Sequence, residues 1–224
     1  MFRISRYVGV GMAFALPALV PFAALFVISS VTVTPDDVAA GSSSTGRVTL
    51  DEITRLPTTI QLSNSTPAVA TVPASVTINA RFTSAIFPVT TAPGVGGCTL
   101  ITAHLGTTAT RSALLYVEPP APSPGLALSL SQKTILGGGS LHGTVVVSVN
   151  SATPSTTVQL VGSTNRVTVP ASVNLNLVEG GIGTATFNVA TSTVSAPTCA
   201  LITATHNGVQ SRVLLKINPV PPFG

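Results

Sequence analysis

The feature that most constrains what this chain can fold into is that it carries one sequence twice. Val72-Pro73-Ala74-Ser75-Val76 recurs as Val169-Pro170-Ala171-Ser172-Val173, an offset of 97. Ala85-Ile86-Phe87-Pro88-Val89 recurs as Ala185-Thr186-Phe187-Asn188-Val189, an offset of 100. Cys98-Thr99-Leu100-Ile101-Thr102-Ala103 then matches Cys199-Ala200-Leu201-Ile202-Thr203-Ala204, and Arg111 with Leu114-Leu115 matches Arg212 with Leu214-Leu215. The order is collinear, so each copy is one structural unit, and the drift in offset marks loops of different length.

Within each copy apolar and hydroxyl residues alternate, as in Val31-Thr32-Val33-Thr34 and Leu126-Ala127-Leu128-Ser129-Leu130. A period of two with β-branched residues predicts strands with one face on a core and one in water. Turn formers punctuate the strands at Gly41 to Gly46, Pro93-Gly94, Gly137-Gly138-Gly139 and Asn207-Gly208, the last a two-residue hairpin signal. Composition fits: only 7% of residues are charged, while 32 Thr and 23 Ser supply the solvent-facing polar groups. Mean hydropathy of +0.57 with a formal charge of +4 excludes a disordered chain. About seven short strands per copy predict an all-β chain of two tandem sandwiches, one over 31–118 and one over 126–219. A proline-rich spacer over 119–125 joins them, extended to at most ~25 Å, and a similar tail occupies 220–224.

The run Ser65 to Val76, then Ser84 to Thr91, Leu100-Ile101-Thr102-Ala103 and Ser112 to Val117, resembles the immunoglobulin-like repeats of bacterial surface and envelope proteins. The resemblance covers both copies and implies an Ig-like fold with an extracytoplasmic adhesive or structural role. Two features depart from it. The Cys-Trp-Cys pattern of antibody domains is absent, and such modules normally decorate much longer chains.

Ahead of the repeats, Tyr7 to Pro35 is a run of 29 residues without a charge. As a helix, Val8 to Val33 would cover roughly 39 Å against the ~30 Å hydrocarbon core. Residues 1–30 therefore read as a cytoplasmic tip and transmembrane helix, with the bilayer contacted through 8–33. Arg3 and Arg6 precede the run and Asp36 and Asp37 follow it, which places the N-terminus inside and the sandwiches in the periplasm of a bacterial inner membrane. Domain 1 then sits flush on the lipid surface. The competing reading is a cleaved export signal ending at Val38-Ala39-Ala40, but cleavage there would remove the first strand of copy 1. Gly9, Gly11, Ala13 and Ala15 set small residues at four-residue spacing, a helix-contact face towards other membrane subunits, and Pro17 and Pro21 predict a kink.

Cys98 and Cys199 hold equivalent positions in separate copies, so neither has a partner within its own domain. A bond between them would need tandem domains to fold back until the Cα atoms lie within ~7 Å, and the expectation is two free thiols packed in or near the cores. His104, His142 and His206 are loop histidines with no converging metal ligands. Asp36-Asp37 and Asp51-Glu52 lack the spaced oxygens of a calcium loop. Asn64-Ser65-Thr66 matches a glycosylation acceptor only formally. No nucleophile, base and orienting group can be assembled, so the expectation is no enzyme, no metal and no cofactor. The ten Lys and Arg are scattered, which excludes a nucleic-acid footprint. The functional expectation is a structural subunit bracing a larger membrane complex, such as a photosynthetic reaction centre with its antenna or a respiratory assembly; the alternative is a bacterial surface adhesin or envelope ligand-binding protein.

Overall fold

The structure, a computed structural model, describes residues 27–106, 109–148, 155–178 and 181–222. Nine strands build the first module: β1 Ile28–Thr34, β2 Asp37–Ala39, β3 Ser43–Leu50, β4 Thr58–Asn64, β5 Ala70–Thr71, β6 Ser75–Ile78, β7 Ser84–Thr91, β8 Gly97–Leu105 and β9 Ala109–Glu118. Nine build the second: β10 Leu126–Leu130, β11 Thr134–Leu136, β12 Ser140–Ser148, β13 Ser155–Gly162, β14 Val167–Thr168, β15 Ser172–Val178, β16 Ile182–Thr191, β17 Thr198–His206 and β18 Val209–Asn218.

In module 1 one sheet runs β1-β3-β7-β5 and the other β2-β9-β8-β4-β6. Every pairing recurs in module 2 between the strands nine places later, including the two parallel edges, β2 on β9 and β11 on β18. This is an Ig-like sandwich made twice. Module 2 departs at one strand. β15 pairs with β13 through Ser172 to Asn176 and then with β16 through Leu177 and Val178, so it crosses from one sheet to the other. Its counterpart β6 stops at Ile78, where Arg81 turns the chain at a φ of 70°.

Each module closes its own core. Ile60, Val89, Ile101 and Leu115 are buried in the first, and Val145, Val158, Ile202 and Leu215 in the second. Each such side chain contributes about 1.5–3 kcal/mol relative to leaving it in water. The alternation of the sequence is the alternation of burial, as in β12, where Leu141, Gly143, Val145 and Val147 point inward.

One packing device is repeated. Gly46 stands opposite Phe87 in the β3–β7 ladder, and Gly143 stands opposite Phe187 in the β12–β16 ladder. Each buried ring lies across its glycine, so that a Cβ there would fall 2.2 Å from ring carbons. Glycine leaves the space that the aromatic ring fills. Gly143→Ala is accordingly expected to cost module 2 about 1–3 kcal/mol, the usual price of overpacking. Chemical denaturation followed by circular dichroism reads this, and an unchanged midpoint would mean that the ring turns aside freely.

Three sequence expectations need correction. The first strand begins at Ile28, not Val31, and Ile28, Val31 and Val33 are buried in the sandwich while β1 pairs with β3. Residues 28–33 therefore cannot also contact lipid as part of a helix: they form a strand with an irregularity between Ile28 and Ser30, and Ile28, Val31 and Val33 are spent on the core. No helix among the described residues is long and apolar enough to cross a membrane. The remainder of the apolar run, with Gly9, Gly11, Ala13 and Ala15, lies outside the described residues. Val38-Ala39-Ala40 belongs to edge strand β2 and its continuation, where Ala40 N–H donates to the Glu118 carbonyl. The spacer 119–125 does not hold the modules apart, because Pro120 to Pro122 lie beside Leu128 to Leu130 and Arg212 of module 2.

Candidate functional site

The chemistry-bearing side chains of the two modules gather where the modules meet. Along β8, Thr99, Ile101 and Ala103 turn into the core, so Cys98 and Leu100 turn outward. The same alternation turns Cys199 and Leu201 outward on β17. The two outward faces abut, and Cys98 and Cys199 form a disulfide with Cα atoms 6.1 Å apart across 101 residues of sequence. The expectation of free thiols fails here. Its stated condition, tandem modules folding back within ~7 Å, is the one the chain meets, and both sulfurs lie between the modules rather than in either core.

Equivalent residues face one another throughout this joint. An apolar cleft of about 440 Å3 beside the disulfide is lined by Ser65 and Ser163, Cys98 and Cys199, and Leu100 and Leu201. Ser65 Oγ accepts from Leu100 N–H at 2.9 Å, and Ser163 Oγ accepts from Leu201 N–H at 2.9 Å, so the same local bond shapes both walls. Tyr116 is the cross-strand neighbour of Cys98 and Lys216 that of Cys199. The Lys216 ammonium lies 4.6 Å from the centroid of the Tyr116 ring, and it also donates to the Asp37 carboxylate. Burial raises the Tyr116 phenol above its ordinary value of 10.0; Lys216 opposes this, while Asp36 and Asp37 add to it.

The backbone positions match but the charges do not. Asp37 and Tyr116 are paired in module 1 where Thr134 and Lys216 are paired in module 2, so Asp36 corresponds to Lys133. Module 1 thus brings Asp36, Asp37 and Glu118 to the joint, and module 2 brings Lys133 and Lys216. Lys133 Nζ reaches Glu118 Oε2 at 3.2 Å with most of its side chain exposed, which makes that pair worth no more than ~1 kcal/mol. Lys216 is only 19% exposed and has two partners; its cation–π contact contributes about 0.5–2 kcal/mol. The disulfide is the strong element of the joint.

Other sequence candidates are dispersed. His104 lies near Ser63 Oγ at 3.0 Å. His206 is one position further along the equivalent strand and hence on the opposite face, buried with Nδ1 3.3 Å from the Thr157 carbonyl. The hairpin after β17 is the two-residue turn Asn207-Gly208, with φ of 47° and 80°. Asn64 donates its amide nitrogen to the Ala70 carbonyl, so the group that glycosylation would need is already engaged. No three metal-ligating side chains converge among the described residues.

No family model and no curated protein sequence matches the chain. Among solved structures it is similar to the Yersinia pseudotuberculosis adhesin InvE, at 16% identity and a TM-score of 0.34, over 84% of this chain and 58% of that one. It is similar to the D0–D1 domain of intimin at 12% identity and a TM-score of 0.34, over 85% and 98% of the two chains. It is similar to the Escherichia coli adhesin FdeC at 17% identity and a TM-score of 0.32, over 85% and 65%. The chain therefore spans less than two thirds of the length of InvE and of FdeC. The Ig-like description of each module rests on its own strand order.

Proposed function

We propose that the chain is a non-catalytic envelope protein of the adhesin type, tethered to a bacterial membrane through its apolar N-terminal run and acting by surface contact. The observation that carries this reading is the disulfide between the modules. Such a bond persists in oxidising compartments and is rare in the cytosol, and this one fixes two modules into a single unit without serving either core. The joint takes in Asp37, just beyond the Thr34 end of β1, and the Cys98–Cys199 bond, whereas Val27 precedes the other end of that strand. A rigid two-module projection keeps its binding face at a set distance and orientation, which lowers the ordering cost on association. The bracing of a photosynthetic or respiratory complex would act through the apolar run and its Gly9, Gly11, Ala13 and Ala15, which lie outside the described residues.

The test is a phosphatase reporter fused after Gly224, combined with gel mobility before and after reduction. The expected result is reporter activity in the extracytoplasmic compartment only, and a mobility shift on reduction that is lost in Cys98→Ser. Reporter activity confined to the cytoplasm would overturn the reading.

A further inference from the structure

The end of module 1 opposite the joint has an unusual surface. Ile53 is 59% exposed, Leu56 75% and Phe82 61%, three large apolar side chains on two adjoining loops. The loops are not loose. Thr54, itself buried, donates from its hydroxyl to the Asn79 carbonyl at 2.9 Å and from its N–H to the Phe82 carbonyl at 3.1 Å. Its own carbonyl accepts from Arg81 N–H at 2.7 Å. Locking Thr54 inward turns its neighbours Ile53 and Arg55 outward and holds Phe82 beside them, so the apolar tip is presented by a fixed platform.

The chain enters the module at this same end. Val27 N–H donates to Asp51 Oδ1 at 2.9 Å, and Asp51 N–H donates to the Val27 carbonyl at 3.1 Å. Ile28 then pairs with Leu50, and Thr49 with Ser84. Residue 27 is thus bonded directly to the loop that carries Ile53 and Leu56, and Tyr7 to Phe26, which precede it, contain no charge. The tip sets Asp51 and Glu52 against Arg55 and Arg81, with Arg47 beside Phe82 leaving a small positive excess. Its attraction for a partner is therefore mainly apolar.

We propose that this tip is a membrane-contact surface, in which Ile53, Leu56 and Phe82 enter the boundary between lipid headgroups and acyl chains beside the point where the N-terminal run leaves the module. The proposal rests on the tether reading above. Lipid is the occupant because 20 consecutive uncharged residues, Tyr7 to Phe26, end one residue from the loop's hydrogen bonds, and each residue of chain spans at most ~3.6 Å. A bilayer holding that run would meet the tip with no spacer between them. Apolar groups at such a boundary settle roughly 5–10 Å into the interface, and the small net charge makes the contact depend little on anionic lipid or salt.

The chain has no tryptophan, so single substitutions report alone. Full-length Phe82→Trp and, as a control on an exposed strand of module 2, Val161→Trp are incorporated into phosphatidylcholine liposomes, floated on a density gradient and read by fluorescence. The expected result is flotation of both, with a blue shift and strong quenching of Phe82→Trp by lipids brominated high on the acyl chains, weak quenching by lipids brominated near the bilayer centre, and neither effect for Val161→Trp. Adding anionic lipid or raising salt changes the quenching little. Flotation with Phe82→Trp unshifted and unquenched overturns the contact surface while leaving the tether standing. Failure of the full chain to float overturns both.

Discussion

A chain beginning at Gly41 is expected to lose module 1 as a folded unit, whereas one beginning at Val27 keeps it. The shorter chain lacks β1 and β2, and with them the buried side chains of Ile28, Val31, Val33 and Val38. Four such residues represent on the order of 10 kcal/mol of apolar burial, comparable with the entire stability of a domain at about 5–15 kcal/mol. The removal also strips β3 of one neighbour and exposes the core beneath. Hydrogen exchange read by mass spectrometry should show 43–118 exchanging rapidly and 126–218 still protected. Equal protection of both modules in the two chains would mean that β1 and β2 are dispensable, and would restore a cleavage after Ala40.

The second large effect concerns shape more than core stability. In the double variant Cys98→Ser with Cys199→Ser both sandwiches should stay folded, because each sulfur faces outward from its sheet. What goes is the constraint between them. A cross-link closing a loop of this size contributes about 2–5 kcal/mol, and the contacts left behind, Lys216 with Asp37 and Tyr116 and the exposed Lys133–Glu118 pair, are individually worth ~1–2 kcal/mol or less. Small-angle scattering should report a larger radius of gyration and a loss of fixed intermodule distances. A scattering curve identical to that of the unmodified chain would show that the non-covalent contacts suffice, and would remove the disulfide from its place as the principal element of the joint.

The sandwiches were legible because their cause is local. A period of two decides which side chains face the core, and Asn207-Gly208 or Pro93-Gly94 decide where the chain turns. Ile28 to Ser30 were misassigned because an apolar strand and the end of an apolar helix look alike in composition; only the pairing of Ile28 with Leu50 separates them. The joint was illegible for another reason. The repeat shows that Cys98 and Cys199 are equivalent, and equivalence within separate modules argues against a bond unless equivalent faces meet. Which faces meet is a property of the seven residues 119–125 and of side chains scattered over β8, β9, β17 and β18, none of which forms a periodic pattern. His206 carries the same lesson on a smaller scale. One residue of offset from His104 exchanges a solvent-facing ring for a buried one. The tip at Ile53, Leu56 and Phe82 leaves no periodic signal either, since its loops are organised by Thr54.

The joint is built from like surfaces carrying unlike charge. A surface that fits its own copy in shape is a standing invitation for two chains to associate module 1 to module 1, as in any two-fold dimer. By these correspondences Asp36 would then confront Glu118 of the other copy, acid against acid, whereas pairing module 1 with module 2 sets Glu118 against Lys133 and Asp37 against Lys216. Unlike charge on like faces thus favours module 1 against module 2 of the same chain over module 1 against its own copy, because juxtaposed acids disfavour the wrong pairing.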